Sequence, residues 1–122
     1  MVQLRSIIKP ADNSGAKRVQ IIHIYKGSKH KSASIGDIVL AAVKEAAPNS
    51  IVSKKDKIRM VLVRTRKEIS RKDGSHIRFS DNAGVVIDAQ NNPRGSRIFG
   101  PIAREIKALG FTQIASLAKE AY

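Results

Sequence analysis

The sequence predicts a mainly β fold, a small closed barrel followed by a short helical C-terminal part. Three observations predict it. Short runs rich in Ile and Val recur along the first ninety positions, turn-forming clusters of Gly, Pro, Asn, Asp and Ser separate them, and the apolar spacing becomes helical after Asn91. Five or six short strands at such regular spacing suggest closure into a barrel. At 122 residues the chain fits one domain, residues 1–90 forming the barrel with basic arms and 91–122 a loop and short helices. A chain of this length buries roughly two-thirds of its unfolded surface, enough for a real core.

The elements follow in order. Ser6 to Lys9 is a short apolar entry, and Pro10-Ala11-Asp12-Asn13-Ser14-Gly15 packs turn formers into six positions. Val19 to Tyr25 reads as a strand buried on much of both faces, with Val19, Ile21, His23 and Tyr25 on one side and Ile22 and Ile24 on the other. Lys26 to Gly36 is too polar for core and too basic for an indifferent linker, so it is expected to be a hairpin arm. Asp37 to Glu45 is an apolar run whose Ile and Val favour a strand. Pro48-Asn49-Ser50 breaks the chain and Ser53 to Asp56 turns it again. Lys57 to Thr65 is the clearest strand, Ile58, Met60 and Leu62 alternating with Arg59, Val61 and Val63.

Asp73-Gly74 is a strong turn dipeptide, after which Ser75 to Phe79 and Ala83 to Asp88 are expected to complete two more strands, with Phe79 in the core. Asn91 to Gly95 is loop-forming. Ile102, Ile106 and Leu109 lie at i, i+4 and i+7, predicting a helix from about Ile102 to Leu109 that Pro101 starts and Gly110 ends. Thr112 is expected to cap a second helix carrying Ile114, Leu117 and Ala118.

Charge points to function. Lys and Arg number 23 against 10 acidic residues, a net +13 with a pI near 10.5, which calls for a polyanionic partner. A membrane is the poorer candidate, since there is neither a basic amphipathic helix nor a spanning run of about 18 apolar residues. The N-terminus has a Pro and an acid where the apolar core of a signal peptide would run. The absence of Cys rules out disulfides and thiolate metal sites and suits the cytoplasm.

The positive charge is concentrated in two arms. Lys17 to Lys31 holds Lys17, Arg18, Lys26, Lys29 and Lys31 with no acidic residue, and Arg64 to Arg78 holds six basic residues against Glu68 and Asp73. Cations at loop tips reach phosphates and release their counterions. The bland alternative is a solvated face, most credible for the isolated pair Lys54-Lys55. The aromatic supply is Tyr25, Phe79, Phe99, Phe111 and Tyr122, too sparse for a stacking groove, so binding to the backbone and shape of folded RNA is expected.

Nothing marks a catalytic or metal site, and no cofactor is expected. His23, His30 and His76 are dispersed; His30, between Lys29 and Lys31, fits an RNA contact and His23 a partly buried strand residue. Asp12, Asp37, Asp56 and Asp73 all stand beside turn residues, where carboxylates turn the backbone.

Several segments resemble the bacterial-type family of large-subunit ribosomal protein fourteen. They are Ala11 to Ala16, Gly27 to His30 leading to Ile35 to Ile38, Asp73-Gly74-Ser75 with Phe79 and Asn82-Ala83, and Arg97 to Pro101. The densest part is the triplet Val61-Leu62-Val63, nine residues, Asp73-Gly74, four residues, Phe79, two residues, Asn82, two residues, and Val85-Val86. Met60 departs from the pattern, which favours a small residue before the triplet.

The resemblance implies a five-stranded β barrel with a projecting β ribbon and a small helical C-terminal part. It also implies binding to large-subunit rRNA, with proteins three and nineteen as neighbours and a bridge to small-subunit rRNA. Lys17, Arg18, Lys29, His30, Lys31, Lys44, Arg64, Arg66, Lys67, Arg71 and Lys72 match basic positions of the family; with Lys54 and Lys55 they make the candidate rRNA-binding set. In some relatives a silencing factor docks on the face carrying Ser96, Arg97, Ile98 and Phe99. The plainer reading of that segment is a loop that anchors the helix through Ile98 and Phe99. The leading expectation is a structural constituent of the cytoplasmic large subunit with no small-molecule substrate. A free small-barrel RNA chaperone or translation factor is the runner-up, and a nuclease using dispersed His and Asp is a third class.

Overall fold

The computed structural model describes residues 2–25, 32–48, 52–118 and 120–122. In chain order the strands are β1 (Val2–Gln3), β2 (Ile7–Pro10), β3 (Ala16–Ile24), β4 (Ser32–Ala33), β5 (Ile38–Ala46), β6 (Lys57–Arg64), β7 (Ile69–Ser70), β8 (His76–Ile77) and β9 (Ala83–Ile87). Two short helices follow, α1 (Glu105–Ala108) and α2 (Thr112–Leu117). Five strands close into a barrel in the order β2-β3-β5-β6-β9, and the parallel pairing of β9 with β2 completes the ring. The fold is the mainly β barrel expected.

The barrel wall is shared by two cores. Ile58, Met60 and Leu62 of β6 point into the barrel with Val19, Ile21, Val39, Ala41, Val43 and Val86. The alternate residues Val61 and Val63, with Val85 and Ile87 of β9, pack outside it against Ile98, Ile102, Ile106, Phe111 and Ile114. Period-two alternation sends successive side chains to opposite faces, and here both faces of β6 and β9 are apolar because both are covered. Neither short helix could persist alone; burial of Ile106 and Ile114 on this outer face holds them.

Met60 is fully buried, and Gly84 makes room for it. A Cβ at Gly84 would lie 3.0 Å from Met60 Cε and 3.1 Å from the Val61 carbonyl, so a large residue on β6 is matched by the absence of a side chain on the neighbouring strand.

The Pro10 to Gly15 turn sews the ring shut. Ala11 N–H donates to the Gly84 carbonyl at 2.8 Å, and Val86 N–H donates to Asp12 Oδ2 at 2.9 Å. Ser14 Oγ donates to Asp12 Oδ1 at 2.8 Å. Asn13 Oδ1 accepts from the N–H groups of Ser96 and Arg97 at 2.8 and 3.1 Å. Gly95 lies against this site, where a Cβ would come 2.6 Å from Asn13 Oδ1. Burial raises the Asp12 carboxyl above its ordinary 3.8, only partly offset by the hydrogen bonds from Ser14 and Val86.

Several expectations need correction. β3 is buried on one face only: its pairing with β5 shifts register between Ile21 and His23, so Ile22 and His23 are both exposed while Ile24 returns to the core. Of the expected arm from Lys26 to Gly36, residues 26–31 lie outside the described residues. Its end is core, since Ser32–Ala33 pairs with Val2–Gln3 and both Ala33 and Ile35 are buried.

Ser75 to Phe79 is not a barrel strand. Only His76–Ile77 is extended in pairing, and it joins Ile69–Ser70 in a separate two-stranded ribbon across the Asp73-Gly74 turn. Phe79 is half-buried at the edge of the outer core.

The first helix starts at Glu105, three residues later than expected, because Ile102 bridges to Ala121 and Ala103 N–H donates to the Val63 carbonyl. Thr112 is the first helical residue and its side chain makes no capping bond; Phe111 holds the N-cap position. Leu109 is exposed rather than core, although its Cδ1 covers Gly36.

Gly84→Ala is expected to lower stability by about 1–3 kcal/mol, the usual cost of overpacking, and to cost less in a Met60→Ala background. Urea denaturation of the double-mutant cycle measures the coupling, and purely additive effects would refute the match.

Asp12 allows a test by pH. The folded state holds its proton more tightly than the unfolded chain, so its stability contribution is full below 3.8 and is lost as pH rises through the raised value. The stability of the natural chain relative to Asp12→Asn, which cannot titrate, should therefore fall as pH rises from 3.8 through the raised value. A rise over that range would show that hydrogen bonding outweighs burial.

Candidate nucleic-acid interface

The candidate cations separate into two exposed groups and two exceptions, Arg64 buried and Arg71 partly buried. In the first group Lys17, Arg18, Lys44, Lys54 and Lys55 are all exposed. Strand register explains how positions so far apart in sequence meet: Arg18 stands opposite Glu45, and Lys55 N–H donates to the Val43 carbonyl. The pair Lys54-Lys55 thus stands at the end of β5 that carries Lys44. Arg18 Nε lies 3.1 Å from Glu45 Oε2 with both side chains largely solvated, a weak pair that a phosphate could displace. Lys29, His30 and Lys31 lie outside the described residues.

The second group is on and around the β7–β8 ribbon. Its turn is built locally: Asp73 Oδ1 accepts from Ser75 N–H at 3.0 Å and Ser75 Oγ at 2.6 Å, and Gly74 takes φ of +90°. The Ser75 hydroxyl, then its backbone N–H, holds the exposed Asp73 carboxyl below its ordinary value. Arg66, Lys67 and Lys72 are exposed and make no ion pair.

Arg64 and Arg71 are different. Arg64 is 8% exposed; its Nη1 donates to the Phe99 carbonyl at 3.0 Å and its Nε lies 3.2 Å from Asp81 Oδ1, an ionic contact without hydrogen-bond alignment. Arg64 also fills the space beside Gly100, whose φ is +82°. Arg71 Nε approaches Glu105 Oε1 at 2.6 Å, again out of hydrogen-bond alignment, while its Nη2 donates to Glu105 Oε2 at 3.3 Å and to the Tyr122 carbonyl. Both guanidiniums face protein, and Arg71 ties the turn end of the ribbon to α1 and Tyr122.

Arg78 belongs with the ribbon group, although the sequence-derived set lacks it. Its signal is present in the charge count of residues 64 to 78, but the two-residue strand that presents it is not legible in the sequence. A second missed feature is Tyr25, 48% exposed, with the Arg59 guanidinium 5.8 Å from its ring centroid and His23 edge-on at 4.9 Å.

Ser96, Arg97, Ile98 and Phe99 line a groove of about 280 Å³ with Gly100 and Leu117. Ile98 is buried in the outer core, whereas Phe99 is 53% exposed. Ile98 is the apolar side chain that anchors the loop, beside the backbone bonds to Asn13 and Arg64, and the Phe99 ring does not share that role.

Asp12, Asp37, Asp56 and Asp73 all turn the backbone: Asp37 accepts from Ser34 N–H at 2.7 Å and Asp56 from Ser53 N–H at 2.8 Å. Among the described residues no three His, Asp or Glu side chains gather to hold a metal. No helix among them is long and apolar enough to cross a membrane.

If Arg71 fastens the ribbon, Arg71→Gln should accelerate amide exchange of Ile69 and Ile77 severalfold, while Lys72→Gln should leave it unchanged. Hydrogen exchange read by NMR checks this, and equal rates in the two variants would refute the role.

The sequence matches the family described as Ribosomal protein L14p/L23e over residues 1–122. With its whole length matched, the chain belongs to that ribosomal protein family.

Proposed function

We propose that this protein is a structural constituent of the cytoplasmic large ribosomal subunit that binds large-subunit rRNA and contributes to bridges with small-subunit rRNA. The observation that carries the reading is the set Lys17, Lys44, Lys54, Lys55, Arg66, Lys67 and Lys72, seven exposed cations without ion-pair partners among the described residues, on a scaffold whose cores are apolar. Lys29, His30 and Lys31 join them by family resemblance. Mutual repulsion of rRNA phosphates is screened where such cations intervene, and that is a structural role needing no reaction. In this reading Arg64 and Arg71 position the RNA-facing segments and do not themselves meet phosphate.

Proteins three and nineteen are the proposed protein neighbours. The groove at Ser96, Arg97, Ile98 and Phe99 supports docking of a silencing factor, since it offers an exposed ring and an Arg beside an apolar wall.

Substituting Arg66, Lys67 and Lys72 together by Gln should weaken binding to a large-subunit rRNA fragment and flatten its salt dependence. The log-log slope should fall by about 0.7–0.9 for each phosphate that is no longer neutralised. Titrations between about 50 and 200 mM salt, where such slopes are steep, read this directly; an unchanged slope would show that these charges are only solvated. Recovery of the protein exclusively as a free monomer in lysate would overturn the ribosomal assignment itself.

A further inference from the structure

The ribbon group contains a built cleft that a phosphate-only interface does not need. Arg66, Arg78, Phe79 and Ser80 line an open cleft of about 550 Å³. Its frame is fixed by the backbone. Arg66 N–H donates to Asn82 Oδ1 at 2.9 Å, Phe79 N–H to the Thr65 carbonyl at 2.9 Å, and the fully buried Thr65 donates its hydroxyl to the Lys67 carbonyl at 3.0 Å. Arg66 therefore leaves the protein from an anchored position, and Arg78 from beside the anchored Phe79.

Charge balance favours an anion here. Asp81 follows Ser80 directly and would be the obvious neutralising group, yet Arg64 takes it, with Nη2 at 3.4 Å from Oδ2 and Nε at 3.2 Å from Oδ1. Arg66 and Arg78 are both exposed and make no ion pair. Phe79 lines the cleft with them and is half-buried against the outer core.

We propose that this cleft takes a single unstacked RNA nucleotide, with its phosphate held by the Arg66 and Arg78 guanidiniums and its base laid against the Phe79 ring. The inference rests on the rRNA-binding reading above and names one subsite within it. Guanidinium forks match phosphate oxygens in pairs. A loop or bulge nucleotide adds the π face that Phe79 can take, and Ser80 offers a hydroxyl to the base edge or the ribose. The phosphates of an intact RNA helix would engage the arginines and leave the ring idle, and an acidic peptide would do the same.

The test uses large subunits assembled with the full chain and irradiated at short ultraviolet wavelength, where a base in contact with an aromatic ring forms a zero-length crosslink. Mass spectrometry should find a nucleotide adduct on Phe79. Phe79→Leu should abolish the adduct and weaken binding of the free protein to a large-subunit rRNA fragment roughly tenfold, within the range for loss of one stacked base. Phe79→Tyr, which keeps the ring, should restore both, separating stacking from packing.

Adducts elsewhere on the chain with none on Phe79 would overturn the cleft and leave rRNA binding standing. No adduct anywhere, together with failure to co-sediment, would overturn the parent reading. Arg78-dependent binding of a polyglutamate peptide, with RNA binding indifferent to Arg78→Gln, would overturn the proposal in favour of an acidic protein partner.

Discussion

Closure of the barrel turns on one buried side chain, that of Asp12. Antiparallel neighbours β3, β5, β6 and β9 can follow one another by pairing alone, but the ring closes through the short parallel contact of β2 with β9, where only Lys9 with Ala83 and Pro10 with Gly84 are in register. Pro10 has no N–H to give to that seam. Ala11 N–H supplies the next donor, to the Gly84 carbonyl, and Asp12 adds an acceptor beyond the paired residues, taking Val86 N–H from β9. Its neighbour Asn13 gathers the 96–97 backbone from the other side. A six-residue turn thereby joins the first barrel strand β2, the last strand β9 and the entry to the C-terminal part, and its polar side chains are used almost wholly as backbone substitutes.

The same seam explains why the outer core forms. Once β9 is fixed beside both β2 and β6, Val61, Val63, Val85 and Ile87 present a continuous apolar face outside the barrel, and Ile98, Ile102, Ile106, Phe111 and Ile114 cover it. The C-terminal part is thus a lid on a β surface, stable only where it lies. It also receives the guanidinium of Arg71, so the ribbon is set relative to the barrel through this lid. Arg64 performs the corresponding task one strand away, linking β6 to Phe99 and Asp81. Engaging a carboxylate in each case leaves the neighbouring cations without competition for phosphate.

Most of the barrel was legible because each wall strand carries its own signal. β5 alternates cleanly, whereas β6 from Met60 onward and β9 throughout are buried on both faces. What was not legible involved a single extra residue or a distant partner. The register shift after Ile21 turns His23 outward, although strict alternation puts it beside Ile21. The helical period at Ile102 is real as spacing, but Ile102 is claimed by a bridge to Ala121 and the helix has to wait until Glu105. Phe79 resembles core because it follows an alternating run, yet that run leaves the barrel for the ribbon. The charge count could not separate Arg64 and Arg71 from their neighbours, because their partners Asp81 and Glu105 lie 17 and 34 residues away.

A net charge of +13 on 122 residues would be expected to strain so small a fold by self-repulsion. The structure confines that strain to its margins. Among the described residues the buried charged groups are Asp12 and Arg64, each of which is met by hydrogen-bonding partners, and the two cores contain only apolar side chains. The exposed cations stand on strand ends, turns and the ribbon, where repulsion can be screened by salt or by phosphate without disturbing the packing inside. Placing the charge outside and the few internal polar groups at the seam and at the end of β6 therefore makes stability and polyanion binding nearly separable properties. That separation is what allows substitutions such as Lys72→Gln to report on binding alone, whereas Asp12 and Gly84 report on the barrel.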